Sequence, residues 1–447
     1  MSRQELNALC FCKLHVQIVR RSTCTHYTPR SLTEPIVQHT LELLVYEGPA
    51  EGKPKEEWKL KSPREILALK VCDMAMGSGA FLVQTCRYLA DRLVEAWELA
   101  EQANPGKILA TPEGDFSEAD PRERLIPQDA EERIVIARRF VADRCLYGVD
   151  INPWAVEMAK LSIWLITMQR DRPFNFLDHS FKCGDSLLGV SDFKQIENFS
   201  LREGAQQTTF ATANLFRYVE DAIKKRQKLE SMPSNDHAQI DLKNKLHAEA
   251  EDATVKVKAL ADCLISLELR GLGGNTYEEQ RVGEAEKVGQ LMNAEVSLSD
   301  YACEQLRGRD PFHWAIEFPE VFARDGFDAF VGNLPYMGGT KVSSNLGQDY
   351  LYFLVESFAE TSGNSDLATF FLRRSASLLH PNGSVVGLVT TSSILAGEHQ
   401  IPRFQGFPRQ IIGFTRQTMG YSRRFMCRFC PNHRVVSSIH RHQLSKP

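Results

Sequence analysis

Apolar and polar positions along this chain repeat with two periods. Short continuous apolar runs at Ile66–Cys72, Cys145–Val149, Phe181–Cys183, Ala329–Val331 and Ser384–Thr391 end in polar or glycine-bearing turns, so each predicts a buried strand. Between them the spacing turns helical, over residues 33–44, 81–101, 131–143, 153–169 and 367–379. Thr33 is the expected N-cap of the first helix, with Pro35 in its first turn. Ala155, Met158, Ala159, Ser162 and Ile163 mark the expected core face of the fourth. Alternating strands and helices predict an α/β fold around an open, mainly parallel sheet. Residues 103–130 are polar and Pro-bearing, and predict a surface excursion. Residues 200–300 change character and predict a helical hairpin closed near Gly271–Asn275, with the basic cluster Lys224–Lys228 on a solvated face. From about Glu398 the pattern stops: the last fifty residues are rich in Arg and carry four His and one acidic residue.

The chemistry-bearing residues stand at the ends of the predicted strands. Asp73 closes the first run and leads into Met74-Ala75-Met76-Gly77-Ser78-Gly79-Ala80-Phe81, a glycine turn opening a helix. Glycines there let backbone approach a ligand. The third glycine of a dinucleotide fingerprint is missing, which suits a cofactor without a pyrophosphate and disfavours a nicotinamide dehydrogenase. Asp150 ends the second run, where an acidic residue can hold a ribose diol, and Asp185 follows the third, where it could accept from an adenine amine. Asn333-Leu334-Pro335-Tyr336 follows the apolar run at Ala329–Val331. The Asn333 oxygen and a turn carbonyl can accept both hydrogens of an exocyclic amine, which keeps the nitrogen lone pair out of the ring, and Tyr336 can stack on the base. One Asp at a strand tip, or one Asn-X-Pro-Tyr turn, is ordinary; the ordered set is the signal.

Charge and cysteines narrow the setting. A net charge of −4 gives no global nucleic-acid signature, so any DNA contact must be local. Eleven cysteines, odd in number and scattered, suggest reduced thiols and a cytoplasmic location. No apolar run approaches a membrane span, and none of the first twenty residues forms a signal core. Cys427-X-X-Cys430 with His433, His440 and His442 has the composition of a zinc site but fits no standard spacing, so no metal is expected.

Taken in order, Tyr27-Thr28-Pro29, Asp73 to Phe81, Asp150, Asp185 and the Asn333 turn resemble the class I, S-adenosyl-L-methionine-dependent amino-methyltransferases. The nearest likeness is to gamma-order N6-adenine DNA methylases of type IIG restriction-modification and BREX- or DISARM-like phage-defence systems. Phe312–Phe322 and Asp366–Phe371 add to the match, which covers about residues 24–395. The resemblance implies a Rossmann-like sheet carrying a helical insertion. Its parts would be an unassigned segment (1–22), a cofactor-binding part (23–199), the insertion (200–300), a catalytic part (301–397) and an aberrant basic tail (398–447). It also implies that Thr28, Gly77, Gly79 and Phe81 surround the cofactor's methionine part, with Asp73 facing the same space. Asp150 would hold the ribose and Asp185 the adenine. Asn333, Leu334, Pro335 and Tyr336 would take a flipped adenine of double-stranded DNA. A separate specificity or defence-system subunit is an implied partner, and a membrane is not.

Three departures from the family pattern bear on this. Met74 and Met76 replace a Pro and a Cys, and could crowd the cofactor turn. Leu334 replaces a Pro, as in ribosomal RNA adenine dimethylases, and would act through its carbonyl. Nothing after Gly397 resembles the family's last strands or its target-recognition domain, so a chain truncated there, with the last strands missing, is expected. A non-catalytic remnant that at most binds cofactor is therefore the rival reading. N4-cytosine and RNA adenine methylation share the same amine chemistry. No Cys follows a Pro, which argues against cytosine-C5 methylation. No nuclease segment is expected before Thr25.

Overall fold

A computed structural model of the chain describes residues 28–117, 126–169, 172–202, 212–232, 236–291, 297–359 and 361–390, with the backbone alone for 212–218, 410–416 and 422–428. Seven strands form the central sheet: β1 (Val71–Asp73), β2 (Leu146–Asp150), β3 (Phe181–Cys183), β4 (Ala329–Asn333), β5 (Val385–Thr390), β6 (Gln410–Arg416) and β7 (Ser422–Arg428). Their order is β7-β6-β5-β4-β1-β2-β3. All neighbouring pairs are parallel except β6–β7. The chain starts at β1, builds outward through β2 and β3, then returns to the other side of β1 with β4. That reversal makes the β1–β4 boundary a switch point, where an open sheet leaves a crevice at its carboxyl edge.

Side chains alternate across the sheet as the pleat requires. Cys72, Tyr147, Val149, Phe330, Val386 and Leu388 enter the core on one face. Val71, Leu146, Ala329, Val331, Val385 and Val389 enter the core on the other. The second face is covered by α1 (Arg30–Val45), α2 (Ala80–Ala103), α3 (Ala130–Arg144) and α4 (Pro153–Thr167). The first carries the insertion, α5 (Thr212–Ser231), α6 (His237–Glu268), α7 (Gly274–Leu291) and α8 (Leu298–Leu306), followed by α9 (Gly339–Leu346), α10 (Gln348–Ser357) and α11 (Leu367–Ser377).

Buried ion pairs fasten the insertion to the sheet. Lys182 of β3 bonds Glu251 of α6 and Glu317, each at 2.7 Å, and Lys70, just before β1, reaches Glu230 of α5 at 2.7 Å. The charges around Lys182 are shared, since Arg226 and Lys258 also reach Glu251 and Lys258 reaches Glu317, so their desolvation is offset across a network rather than within one pair.

Several sequence expectations are corrected. The first helix begins at Arg30 with Pro29 as N-cap; Thr33 is buried, and its hydroxyl bonds back to the Arg30 carbonyl at 3.4 Å. The strand expected from Ile66 is shorter, because Ser62 and Glu65 form a reciprocal capping box that sets a helix at Pro63–Leu67. The polar excursion contains a two-stranded ribbon, Ile108–Leu109 with Phe116–Ser117. The hairpin gains two further helices, α7 and α8. Arg226, expected on a solvated face, is buried and bonds Glu251 at 2.8 Å. Met158, expected in the core, is exposed. The stretch expected to abandon the sheet contributes β6, registered beside β5, and β7. Strand pairing is a backbone interaction, so an edge strand can form where no side-chain period announces it. Tyr27, Cys430, His433, His440 and His442 lie outside the described residues, as does the side chain of Cys427. No helix among the described residues is long and apolar enough to cross a membrane.

Candidate active site

The strand tips converge on one cavity at the carboxyl edge of β1, β2 and β4. Thr28, Asp73, Gly77, Phe81, Asp150, Asp185, Asn333, Leu334, Pro335 and Tyr336 all line it. Gly79 stands behind the lining as the N-cap of α2, with φ +81°. A side chain there would press within 3.1 Å of the Ala159 Cβ on α4. Gly77 also lies in the left-handed region, at φ +54°, so the turn from β1 into α2 relies on both glycines.

The two methionines that depart from the family pattern border the cavity and also reach into the cores beneath it. Met74 packs into the core on one face of the sheet and Met76 into the core on the other, and both are buried. Met76 fits because Gly148 of β2 has no side chain: a Cβ there would lie 2.2 Å from the Met76 sulfur. The Met76 side chain thus finds its room one strand away, while both methionines still border the cavity.

Backbone donors fix the three carboxyls. Asp150 accepts from Gly77 N at 2.8 Å and Asn152 N at 2.9 Å, which ties β2 to the glycine turn. Asp73 accepts from Ala75 N at 3.1 Å and lies against Gly332 of β4, where a Cβ would come within 2.7 Å of its Oδ1. Asp185 accepts from Leu187 N at 3.0 Å and from the Tyr350 hydroxyl at 3.0 Å. Burial raises the pKa of all three carboxyls; Asp73 is pushed up to about 8, with nearby Asp150 adding to the rise. The lining contains these acids and no Lys, Arg or His. A positively charged ligand would relieve that imbalance.

The Asn333 turn is held from both sides. Asn333 Nδ2 donates to Thr28 Oγ1 at 3.3 Å, which places the entry of α1 over the tip of β4. The approach is set by Gly387 of β5, where a side chain would collide with Thr40 of α1. The Tyr336 hydroxyl lies 2.9 Å from Asn333 Oδ1 and 2.8 Å from the Val389 carbonyl. The Tyr336 hydroxyl thus sits between these two oxygens. Leu334 lines the cavity but is 1% exposed, and its side chain joins the core.

Tyr350 and Ser186 were not legible as site residues. Tyr350 lies on α10, 165 positions from Asp185, and Ser186 bonds the Met74 carbonyl. Ser186 follows Asp185 in its turn but was assigned no role, and only the packing of α10 beside the β3 tip brings Tyr350 in.

Comparison with known proteins matches the same stretches. A family model described as Eco57I restriction-modification methylase matches residues 144–407. A second, described as MmeI, DNA-methyltransferase domain, matches residues 51–198. The chain is also 21% identical over 354 residues to a protein of Methanocaldococcus jannaschii provisionally named as a type II restriction enzyme and methyltransferase. That alignment takes in 70% of this chain and 28% of the archaeal protein, so the chain corresponds to well under half of that relative.

Proposed function

The chain belongs to the Eco57I restriction-modification methylase family, and from that premise we propose that it transfers a methyl group from S-adenosyl-L-methionine to the N6 amine of adenine in DNA. The observation that carries the reading is the single cavity shared by the acidic strand tips and the Asn333 turn. The donor set fits the cofactor: three desolvated carboxyls with no basic residue among them suit its sulfonium and ammonium charges. When bound, the cofactor supplies a methyl group already activated on sulfur.

The protein's own part is positioning. Asp150 would hold the ribose and Asp185, steadied by Tyr350, the adenine. Thr28, the Gly77 backbone and Phe81 would border the methionine part, with Gly79 supporting the turn. Asp73 would face the positive charge. The target base leaves the duplex stack and enters beside Tyr336. Asn333 Oδ1 and the Leu334 carbonyl would accept the two amine hydrogens, and Pro335 keeps the turn narrow. The nitrogen lone pair would then be directed at the methyl carbon; the N–C bond would form as the C–S bond breaks to leave a neutral thioether, and the surplus amine proton would pass to water, so no general base has to act before transfer. Tyr336 must release Asn333 for this, and its freed ring is then available to stack on the base.

The test is transfer of labelled methyl groups to duplex DNA, with the product base identified after digestion. Asn333→Ala should lower transfer by at least about 10²-fold, with cofactor affinity by calorimetry unchanged. Equal transfer by wild type and variant would sink the assignment. N4-methylcytosine as product, or preference for an RNA duplex, would keep the amine chemistry and change the substrate.

A further inference from the structure

Helix α4 buries one side against the sheet through Ala155, Val156, Ala159 and Ile163, yet its opposite side is also apolar. Trp154 is 77% exposed, Met158 51%, Leu161 42%, Leu165 61% and Met168, the C-cap, 58%. These positions advance by four, three, four and three residues, the period of a coiled-coil seam rather than of scattered surface residues. They form one ridge along the helix. We propose that this ridge is the docking surface for a second copy of the chain, helix against helix across a two-fold axis.

Three observations favour a second copy over an unrelated partner. With about 200–280 Å² for each fully exposed large side chain, the ridge presents on the order of 700 Å², more than a monomer commonly leaves open and near the share that each partner gives to a stable dimer. Ile151, about half exposed, stands just before the helix, and Phe174, also about half exposed, stacks on Trp164 of α4. Charge gives no handle for a partner of opposite sign. The charged residues of α4, Glu157 and Lys160, bond each other at 2.8 Å, and Lys160 also reaches Asp178, so two such faces meet without like-charge conflict. Complementarity is the third point. Among the described residues the other exposed large apolar side chains, Leu99, Leu242, Val255, Val282 and Tyr352, are spread over α2, α6, α7 and α10, and no one of these helices carries more than two. The described surface therefore offers this seam one matching seam, its own. Ile151 also lines the cavity, so the second copy would stand beside the cavity mouth.

Sedimentation velocity and light scattering of the full chain between about 1 and 50 µM test this. The expected mass is twice 50.6 kDa at the upper concentration. Leu161→Glu with Leu165→Glu should return it to 50.6 kDa with an unchanged circular-dichroism spectrum and melting point, while Leu161→Met with Leu165→Met stays dimeric. Hydrogen exchange on the wild type should show protection gained at the higher concentration within residues 153–168, and needs no substitution. A monomer throughout, a dimer that survives the glutamates, or protection gained elsewhere would overturn the proposal. Capture of a foreign helix by a monomeric chain would overturn it as well.

Discussion

Asp73 is the residue whose replacement tests the electrostatics of the cavity most directly. It is 1% exposed, and burial together with Asp150 raises it from 3.8 to about 8. The folded protein therefore keeps a proton on Asp73 over a range where the unfolded chain has lost it. The sign follows from linkage: between about pH 4 and 8 the native state binds more protons, so stability falls as pH rises, by about 1.4 kcal/mol per unit. At pH 7 the wild type would have lost about 4 kcal/mol relative to pH 4, an upper bound that relaxation of the site lowers. Asp73→Asn mimics the protonated acid and retains an oxygen for the Ala75 N–H. Urea unfolding at pH 5, 7 and 8.5 should show the variant gaining on the wild type at each step, by about 2–4 kcal/mol over the series. A difference that does not change with pH, or a wild type that gains on the variant at pH 8.5, would refute the assignment of a raised acid at this position.

Two further outcomes follow from the packing. Gly148→Ala should destabilise the protein by about 1–3 kcal/mol, because its Cβ would meet the Met76 sulfur, and adding Met76→Ala should recover most of that loss in a thermal-melt double-mutant cycle. Tyr336→Phe removes the hydroxyl from Asn333 Oδ1 and the Val389 carbonyl, which should cost about 1 kcal/mol of stability while methyl transfer stays at or above the wild-type rate, since the amine acceptor is then vacant and the ring remains; a rate at least tenfold lower would mean that the hydroxyl takes part in transfer.

What the sequence determined by itself lies where chemistry is coupled to local chain geometry. A buried strand that ends in an Asp and passes through Gly77 and Gly79 into a helix can be read in one dimension, because strand, turn and helix are covalently consecutive. The same holds for Asp150 before α4 and for Asn333 at the end of β4, and these tips meet in one cavity because parallel strands share a carboxyl edge. The sequence could not say where Met76 goes, since that depends on Gly148 in the neighbouring strand. It could not place Tyr350 on Asp185, or bring Tyr336 to Asn333 and Val389, because those bonds depend on how distant elements pack. Arg226 looked solvated until Glu251 and the His179 carbonyl enclosed it. The period of α4 revealed a helix, but only the tertiary structure decided which of its two apolar faces the sheet would cover and which would remain open. Covalent order fixes what lies next along the chain, and burial, which depends on the whole fold, fixes the rest.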